Sequence, residues 1–142
     1  MRDLMNAIHT VNAIPPIAAR TDNTAIVSSI IDTRDYGSCT FVLSIGTNTD
    51  ADATFAVTMD ESADSGMSGS NAVAAADLVG TYALAGYQFD DDTETRKIGY
   101  IGNKRYVRLT VTPSGNGAGN IFLAGVAVLG HAGRAPTANP PA

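Results

Sequence analysis

The stretch of sequence that decides the fold is Arg96-Lys-Ile-Gly-Tyr-Ile-Gly-Asn-Lys-Arg-Tyr-Val-Arg-Leu-Thr-Val-Thr-Pro113. It contains two runs of strand-forming residues in which apolar and polar side chains alternate. Gly102-Asn103 lies between them and is suited to a two-residue β-turn. The pattern predicts a tight antiparallel hairpin, and it favours an antiparallel β domain over a helical one.

Counting outward from this turn predicts which side chains share each face of the hairpin, because antiparallel pairing is symmetric about the loop. One face is apolar and holds Ile98, Tyr100, Val107, Leu109 and Val111. The other face is basic and holds Lys97, Lys104, Tyr106 and Arg108. In this register Lys97 lies opposite Arg108, and such like charges cost stability unless water or an acidic partner relieves them. We therefore predict a basic ribbon that contacts a partner.

Length and composition indicate a single β-rich domain. The chain has 142 residues, of which 14 are glycine and none is tryptophan, and charged residues make up only 16%. These values are typical of an all-β protein built from many short strands. With 14 Asp and Glu against 9 Lys and Arg the chain is acidic, which disfavours non-specific binding to nucleic acid. We expect no direct nucleic-acid partner.

Alternating apolar residues predict further strands at 25–31, 39–45, 54–59, 82–89 and 121–129, separated by turns and by a long loop at 60–81. The last strand is apolar on both faces, so we expect it to be central or covered. Seven or eight strands with long connections predict an antiparallel jelly-roll-like β-sandwich, although the pattern is also compatible with an immunoglobulin-like sandwich. The predicted division is an N-terminal arm (1–20), a sandwich domain (21–130) and an extended C-terminal tail that contains prolines (131–142).

The predicted arm carries apolar side chains that need a partner. Leu4, Ile8, Val11 and Ile14 precede Pro15-Pro16, which forces an extended exit. Terminal segments are ordered only when something holds them. The arm therefore packs either on the edge of its own domain or on another protein, and the sequence leaves both alternatives open.

The sequence contains few residues in patterns typical of catalysis or metal binding. Cys39 is the single cysteine and is expected to be a buried thiol. His9 and His131 have no metal-ligating or relay residues at suitable spacing. The acidic turn at 90–94 lacks the ligand spacing of a calcium loop, so we interpret it as a solvated turn, with calcium binding left open. We predict no catalytic, cofactor-binding or metal residues, and no enzyme activity.

The N-terminus lacks the uninterrupted apolar core of a secretory signal, and the longest apolar run, at 121–129, is too short to cross a bilayer. We therefore expect a soluble protein that is made in a cytoplasm and has no membrane partner.

Several segments of the sequence resemble segments of small virion proteins of tailed bacteriophages. Within these proteins, the resemblance is to the capsid cement (head decoration and stabilisation) family. The segments are Thr49-Asp-Ala-Asp-Ala-Thr-Phe-Ala-Val57, the stretch 96–113 and Val126-Ala-Val-Leu-Gly-His131. The likeness extends to the opening Met-Arg-Asp-Leu and to Arg20-Thr-Asp-Asn-Thr24. These phrases are typical of the family and are not catalytic signatures.

The resemblance implies a jelly-roll homodimer that binds the outside of an expanded icosahedral phage head and cements neighbouring major capsid subunits. The expected partners are the major capsid protein and a second copy of the chain. The expected location is the outer capsid surface of the virion, after synthesis in the bacterial host cytoplasm. The sequence does not identify the phage, the copy number, or whether the oligomer is a dimer or a trimer.

The candidate contact residues come from the sequence pattern and not from the family. They are Leu4, Ile8, Val11 and Ile14 of the arm, and Lys97, Lys104, Tyr106 and Arg108 of the ribbon. An alternative function is a ligand-binding β-sandwich, such as a carbohydrate- or receptor-binding virion module that uses the 60–81 loop, although the lack of tryptophan argues against sugar stacking. A third alternative, a hydrolase that uses Asp50 and Asp52, has no feature that suggests a substrate.

Overall fold

The computed structural model describes residues 3–141, which form two antiparallel sheets packed face to face. Its eleven strands are β1 (His9–Ile14), β2 (Ile26–Val27), β3 (Ile31–Asp32), β4 (Tyr36–Asn48), β5 (Thr54–Ser62), β6 (Asn71–Ala72), β7 (Leu78–Val79), β8 (Tyr87–Gln88), β9 (Thr95–Tyr100), β10 (Tyr106–Ser114) and β11 (Ile121–Ala132). One short α-helix, α1 (Tyr82–Ala85), follows β7, and single-turn 3₁₀ helices lie at Met5–Ala7 and Ala75–Asp77. No helix among the described residues is long and apolar enough to cross a membrane.

The two sheets differ in how continuous their strands are. The five-stranded sheet has the order β1-β11-β4-β9-β7, with β4 and β11 paired along most of their length. The six-stranded sheet is built on β10 and β5, which pair along the whole of β10. Short strands flank this pair, with β2 and β3 beside β10, and β6 and β8 beside β5.

The core lies between the sheets and is filled by alternate residues of the long strands. The predicted inward residues of β4 (Cys39, Phe41, Leu43 and Ile45) and of β5 (Phe55, Val57 and Met59) are all buried. They pack against inward residues of β9, β10 and β11, among them Ile98, Leu109 and Leu129. The fold is therefore an all-β, jelly-roll-like antiparallel sandwich, as the sequence predicts.

The predicted hairpin is wrong, because β9 and β10 lie in different sheets. Strand β9 pairs with β4 on one side and β7 on the other, while β10 pairs with β5 and with β2 and β3. The segment 101–105 crosses between the sheets. Splitting the two strands lets the apolar sides of both face one core from opposite sheets, which buries more apolar surface than an isolated ribbon does.

Two other predicted strands are also corrected. Residues 82–89 form helix α1 followed by the two-residue strand β8, because Thr81 caps the helix by accepting a hydrogen bond from the Leu84 backbone N–H at 3.2 Å. Residues 25–31 form two short strands, β2 and the start of β3, with a break between them. Ser28 occupies the break, and its hydroxyl accepts a hydrogen bond from the backbone N–H of Leu109 at 3.0 Å.

Both terminal segments lie against the sandwich. Strand β1, inside the predicted arm, pairs with β11 as an edge strand of the five-stranded sheet. In the predicted tail, Thr137 donates its backbone N–H to the carbonyl of Asn6 at 3.1 Å, and its hydroxyl bonds to the carbonyl of Ile8. The N-terminal segment is thus held between its own sheet and the tail.

Candidate contact surfaces

The four arm residues are placed in three different environments. Leu4 is 67% exposed, and Ile8 is half-buried. Val11 packs against the core, and Ile14 is 1% exposed inside it. The structure therefore leaves Leu4, beside the exposed Met5, as the arm residue most open to a partner. The contact role of these residues stays a prediction.

The four ribbon residues do not form one surface. Lys97 lies on the outer side of the five-stranded sheet, opposite Val42 of β4. Tyr106 and Arg108 lie on the outer side of the six-stranded sheet, where Arg108 is opposite Asp60. Lys104 lies in the connection between the sheets. The expected opposition of Lys97 and Arg108 is therefore wrong, because the two residues are on opposite sides of the molecule.

Two neighbouring arginines on the six-stranded side have acidic partners within the chain. Arg105 makes two hydrogen bonds to the carboxylate of Asp32, at 2.8 and 2.7 Å, and its guanidinium lies 4.9 Å from the centre of the Tyr106 ring. This pairing holds the pKa of Asp32 below its usual value. Arg108 lies 3.6 Å from Asp60. These charges stabilise the sandwich locally and are less free to bind an acidic partner.

The outer side of the five-stranded sheet is a nearly uncharged surface, which we call the valine face. Lys97 is its one charged member. Large apolar side chains are exposed on it, including Val126 at 38%, Phe122 at 44% and Val79 at 57%. The face comprises Thr10, Asn12, Ser38, Thr40, Val42, Ser44, Gly46, Val79, Thr95, Lys97, Gly99, Phe122, Ala124, Val126, Val128 and Gly130.

The outer side of the six-stranded sheet, which we call the threonine face, has a different chemistry. Its two central strands present small hydroxyl side chains in register, with Thr110 opposite Thr58 and Ser114 opposite Thr54. The Arg108–Asp60 pair lies at one end of this array. A surface of this kind is well solvated by itself.

The valine face is not among the predicted contact surfaces, although part of its pattern is present in the sequence. Strand β11 is apolar on both sides, and such a strand is central or covered. It is central, because it pairs with both β1 and β4. Its outward residues Phe122 and Val126 are nevertheless exposed in this chain.

The edges of the five-stranded sheet are blocked against addition of a further strand. On the β1 side, the carbonyl of Ala13 accepts the backbone N–H of Ser29 at 2.8 Å, and that of Asn12 accepts the Ser29 hydroxyl at 3.0 Å. The opposite edge strand, β7, has only two residues and is followed by Gly80 with φ of +95°. Short and covered edges disfavour strand pairing with another chain.

Four loops meet at one end of the sandwich, which we call the acidic end. Its carboxylates are Asp22, Asp50, Asp52, Asp90, Asp91, Asp92 and Glu94. Hydrogen bonds join the loops: the Asn48 backbone N–H donates to Asp92 at 2.8 Å, and the Asn116 backbone N–H donates to Asn23 at 2.9 Å. With Arg20 and Arg96 as its basic residues, this end carries a net charge of −5, which equals that of the whole chain.

Asp50 holds the acidic end together. Its carboxylate accepts the backbone N–H groups of Asp52 at 3.1 Å, Gly117 at 2.9 Å and Ala118 at 3.4 Å. These bonds favour the ionised form and lower the pKa of Asp50. Asp50 is therefore committed to fixing the β10–β11 loop, and not to acid–base chemistry.

The opposite end is closed by the hydroxyl of Tyr100. It donates to Glu61 at 2.6 Å and accepts the backbone N–H of Lys104 at 2.9 Å. Burial, followed by the hydrogen bond to Glu61, raises the pKa of Tyr100. A side chain on Gly102 would collide with the Tyr100 ring, at 2.5 Å from its hydroxyl. The Gly-Asn pair thus allows the chain to pass over this tyrosine.

Within residues 3–141, no group of three or more His, Cys, Asp or Glu side chains is arranged to hold a metal ion. The acidic turn is engaged by its own chain, since Asp91 accepts the backbone N–H of Gln88 at 2.8 Å and pairs with Arg96 at 3.1 Å. Cys39 is buried as predicted, and burial raises the pKa of its thiol to about 12.

No family model and no curated protein matches the chain. Solved structures similar to it include dimeric latent PorU from Porphyromonas gingivalis (15% identity, 87% of this chain and 13% of that chain, TM-score 0.42). Another is the infectious bursal disease virus VP2 subviral particle (14% identity, 89% of this chain and 32% of that chain, TM-score 0.45). A third is the xylan-binding module CBM15 (9% identity, 93% of this chain and 95% of that chain, TM-score 0.40). The chain thus spans about a third or less of the first two. Its structural neighbours include viral capsid proteins and carbohydrate-binding modules, at low identity.

Proposed function

We propose that this chain is a structural virion protein of a tailed bacteriophage that binds the outside of the expanded icosahedral head and cements neighbouring major capsid subunits. The proposal includes self-association, with two copies as the simplest symmetric form. The observation that carries it is the valine face, where the apolar side chains of Val79, Phe122 and Val126 are exposed on a sheet whose long strands β4 and β11 are each paired on both sides. Surfaces of this kind mark protein–protein contacts.

The sequence resemblance to capsid cement proteins supports the specific partner. The architecture suits the task, because a rigid sandwich with internally hydrogen-bonded loops loses little conformational entropy on binding. Many repeated contacts of modest strength add up across a shell through multivalency. Leu4 and Met5, exposed at the start of the arm, extend the apolar surface available to a shell subunit.

Binding is tested by mixing the purified protein with emptied, expanded heads that lack it, followed by sedimentation and a count of bound copies. We expect saturation at a fixed ratio to the major capsid subunit. The control is unexpanded heads. The test variant is Leu4→Ser, which should weaken binding without changing the fold, because Leu4 is exposed. Protein that stays in the supernatant at all concentrations contradicts the proposal, and a melting temperature raised by glycans would instead favour the alternative of a ligand-binding module.

A further inference from the structure

We infer that an extended acidic segment of a partner protein binds beside strand β9, in line with β7, and forms backbone hydrogen bonds with Lys97. The segment is defined by its chemistry, so the site can bind it whether or not it comes from a phage shell. Strand β7 blocks the edge of the sheet only as far as it extends. It lies opposite Tyr100 and Gly99, and the chain turns away at Gly80, where φ is +95°. Residues 95–98 of β9 therefore have no neighbouring strand on that side within residues 3–141.

The backbone N–H and C=O of Lys97 point to this open side. In antiparallel pairing, successive residues direct these groups alternately to one side of the strand and to the other. The Ile45 N–H donates to the carbonyl of Glu94 at 3.0 Å, so the even-numbered residues of β9 bond to β4. The Ile101 N–H donates to the carbonyl of Asp77 at 2.9 Å, so the odd-numbered residues face away from β4. Lys97 thus presents a donor and an acceptor to which a further extended chain can bond.

A groove of about 520 Å³ runs along this open side, within the range of about 300–1,000 Å³ that is usual for binding clefts. Helix α1 contacts both β9 and β5, so it lies on the core side of the groove. Its Leu84 is 72% exposed and lines the groove together with Val79. A Cβ added at Gly80 would meet no atom within 4 Å, so the groove is open where β7 ends. Peptides that add to an open strand obtain affinity from backbone hydrogen bonds and specificity from pockets for alternate side chains.

Charge selects an acidic segment. The two charged residues that line the groove are Arg96 and Lys97. Arg96 is already paired with Asp91 and Glu94, whereas Lys97 is exposed and has no ion pair in the described part of the chain. A partner residue directly opposite Lys97 places its side chain on the same face of the sheet, where a carboxylate is attracted and a cation is repelled. The residues on either side of it point the other way, toward Leu84, so apolar side chains fit there.

The test is an NMR titration of the ¹⁵N-labelled full chain with two capped peptides, Thr-Val-Glu-Val-Thr and its matched control Thr-Val-Lys-Val-Thr. Concentrations reach about 5 mM, because a short peptide that becomes ordered on binding binds weakly. We expect saturable shifts of the amide resonances of Lys97 and its neighbours, and binding at least about fivefold tighter for the Glu peptide, as for a cross-strand ion pair. Methylation of the Glu backbone nitrogen should abolish these shifts, since it removes the N–H that bonds to the Lys97 carbonyl.

Variants of the chain test the same site from the other side. Lys97→Glu should reverse the preference, so that the Lys peptide binds more tightly than the Glu peptide. The matched control, Lys104→Glu, makes the same charge change at an exposed position outside the groove, and it should bind as the wild type does. Leu84→Ser should weaken the binding of both peptides, because it removes an apolar wall. Circular dichroism checks the fold, and Lys97→Gln, which should bind both peptides alike, replaces Lys97→Glu if that variant is unfolded.

The absence of saturable shifts at residues 95–99 overturns the inference, and shifts confined to another surface do the same. Equal binding of the two peptides by the wild type overturns the assignment of an acidic segment, as does an equal effect of Lys97→Glu and Lys104→Glu. A protein that sediments with shells but binds neither peptide overturns this inference alone. One that binds the Glu peptide but ignores shells overturns the proposed function alone.

Discussion

The two ends of the sandwich hold their loops in different ways. At the acidic end, Asp50 accepts backbone N–H groups of the β10–β11 loop, and the carboxylates and arginines of this end together carry a net charge of −5. At the other end, the largely buried hydroxyl of Tyr100 joins both sheets through Glu61 and Lys104. One end is thus fixed by ionised, half-buried carboxylates and the other by a neutral, buried hydroxyl, so the two ends respond to different perturbations.

The largest effect is expected from Gly115→Ala at the acidic end. Gly115 has φ of +78°, and an added Cβ would lie 2.4 Å from the carbonyl oxygen of Asp52. Backbone strain and this clash should lower the free energy of unfolding by about 2–4 kcal/mol. Urea denaturation measures the change. The matched control is Gly117→Ala, where the nearest atom is 3.9 Å away, and an equal loss in both variants would contradict the packing described for this loop.

A smaller effect is expected from Tyr100→Phe at the opposite end. The change removes the bond to Glu61 and leaves the Lys104 N–H without its acceptor, so the free energy of unfolding should fall by about 1–3 kcal/mol. Tyr87→Phe is the matched control, because the buried Tyr87 hydroxyl has no hydrogen-bond partner among the described residues. Its removal should be neutral or slightly stabilising by thermal denaturation. If Tyr87→Phe lowers the free energy of unfolding as much as Tyr100→Phe does, then the hydrogen bonds of Tyr100 do not hold this end of the sandwich together.

The smallest effect is expected from pH, with opposite signs at the two ends. The pKa of Asp50 is lowered in the folded state, so ionised Asp50 stabilises the fold above the unfolded pKa near 4. This stabilisation is lost as pH falls through the folded pKa. The pKa of Tyr100 is raised in the folded state, so its neutral hydroxyl stabilises the fold below the unfolded pKa of about 10. This stabilisation is lost as pH rises from that value through the folded pKa.

Stability measured against pH checks both signs. Asp50→Asn should make the loss of stability below pH 4 shallower, and Tyr100→Phe should do the same above pH 10. Asp90→Asn removes an equal charge at the acidic end without removing a hydrogen bond of the described chain, so it controls for net charge. An acid profile that Asp90→Asn changes as much as Asp50→Asn would mean that general repulsion, and not the Asp50 loop contacts, governs the acidic end.

The comparison also shows what the sequence can predict. The alternation in 39–45 and 54–59 identified the inward residues of β4 and β5, because a strand with one buried face has a fixed period of two. Alternation in 96–113 likewise identified which residues of β9 and β10 are buried. It did not identify the partner strands, since a turn pattern such as Gly102-Asn103 specifies a local reversal and not the sheet to which the next strand belongs.

The candidate surfaces were harder to predict for the same reason. The predicted ribbon places Lys97 and Arg108 on one face, but in the structure they lie in different sheets. For the arm, the sequence allows packing on its own domain or on another protein, and in the structure His9–Ile14 forms an edge strand of its own sheet. The apolar pattern of β11 on both sides is visible in the sequence, but the valine face depends on β11 lying beside β4 and β1, a long-range arrangement that local patterns do not encode.

The proposal that the protein cements a phage shell is tested most directly by the temperature at which expanded heads rupture. Heads lacking the protein are titrated with it and heated, and rupture is detected when a dye gains access to the interior of the shell. We predict that the rupture temperature rises with occupancy and reaches a plateau when binding saturates, because bound copies link subunits that must separate for the shell to open. Saturated binding with an unchanged rupture temperature would show that the protein does not cement the shell.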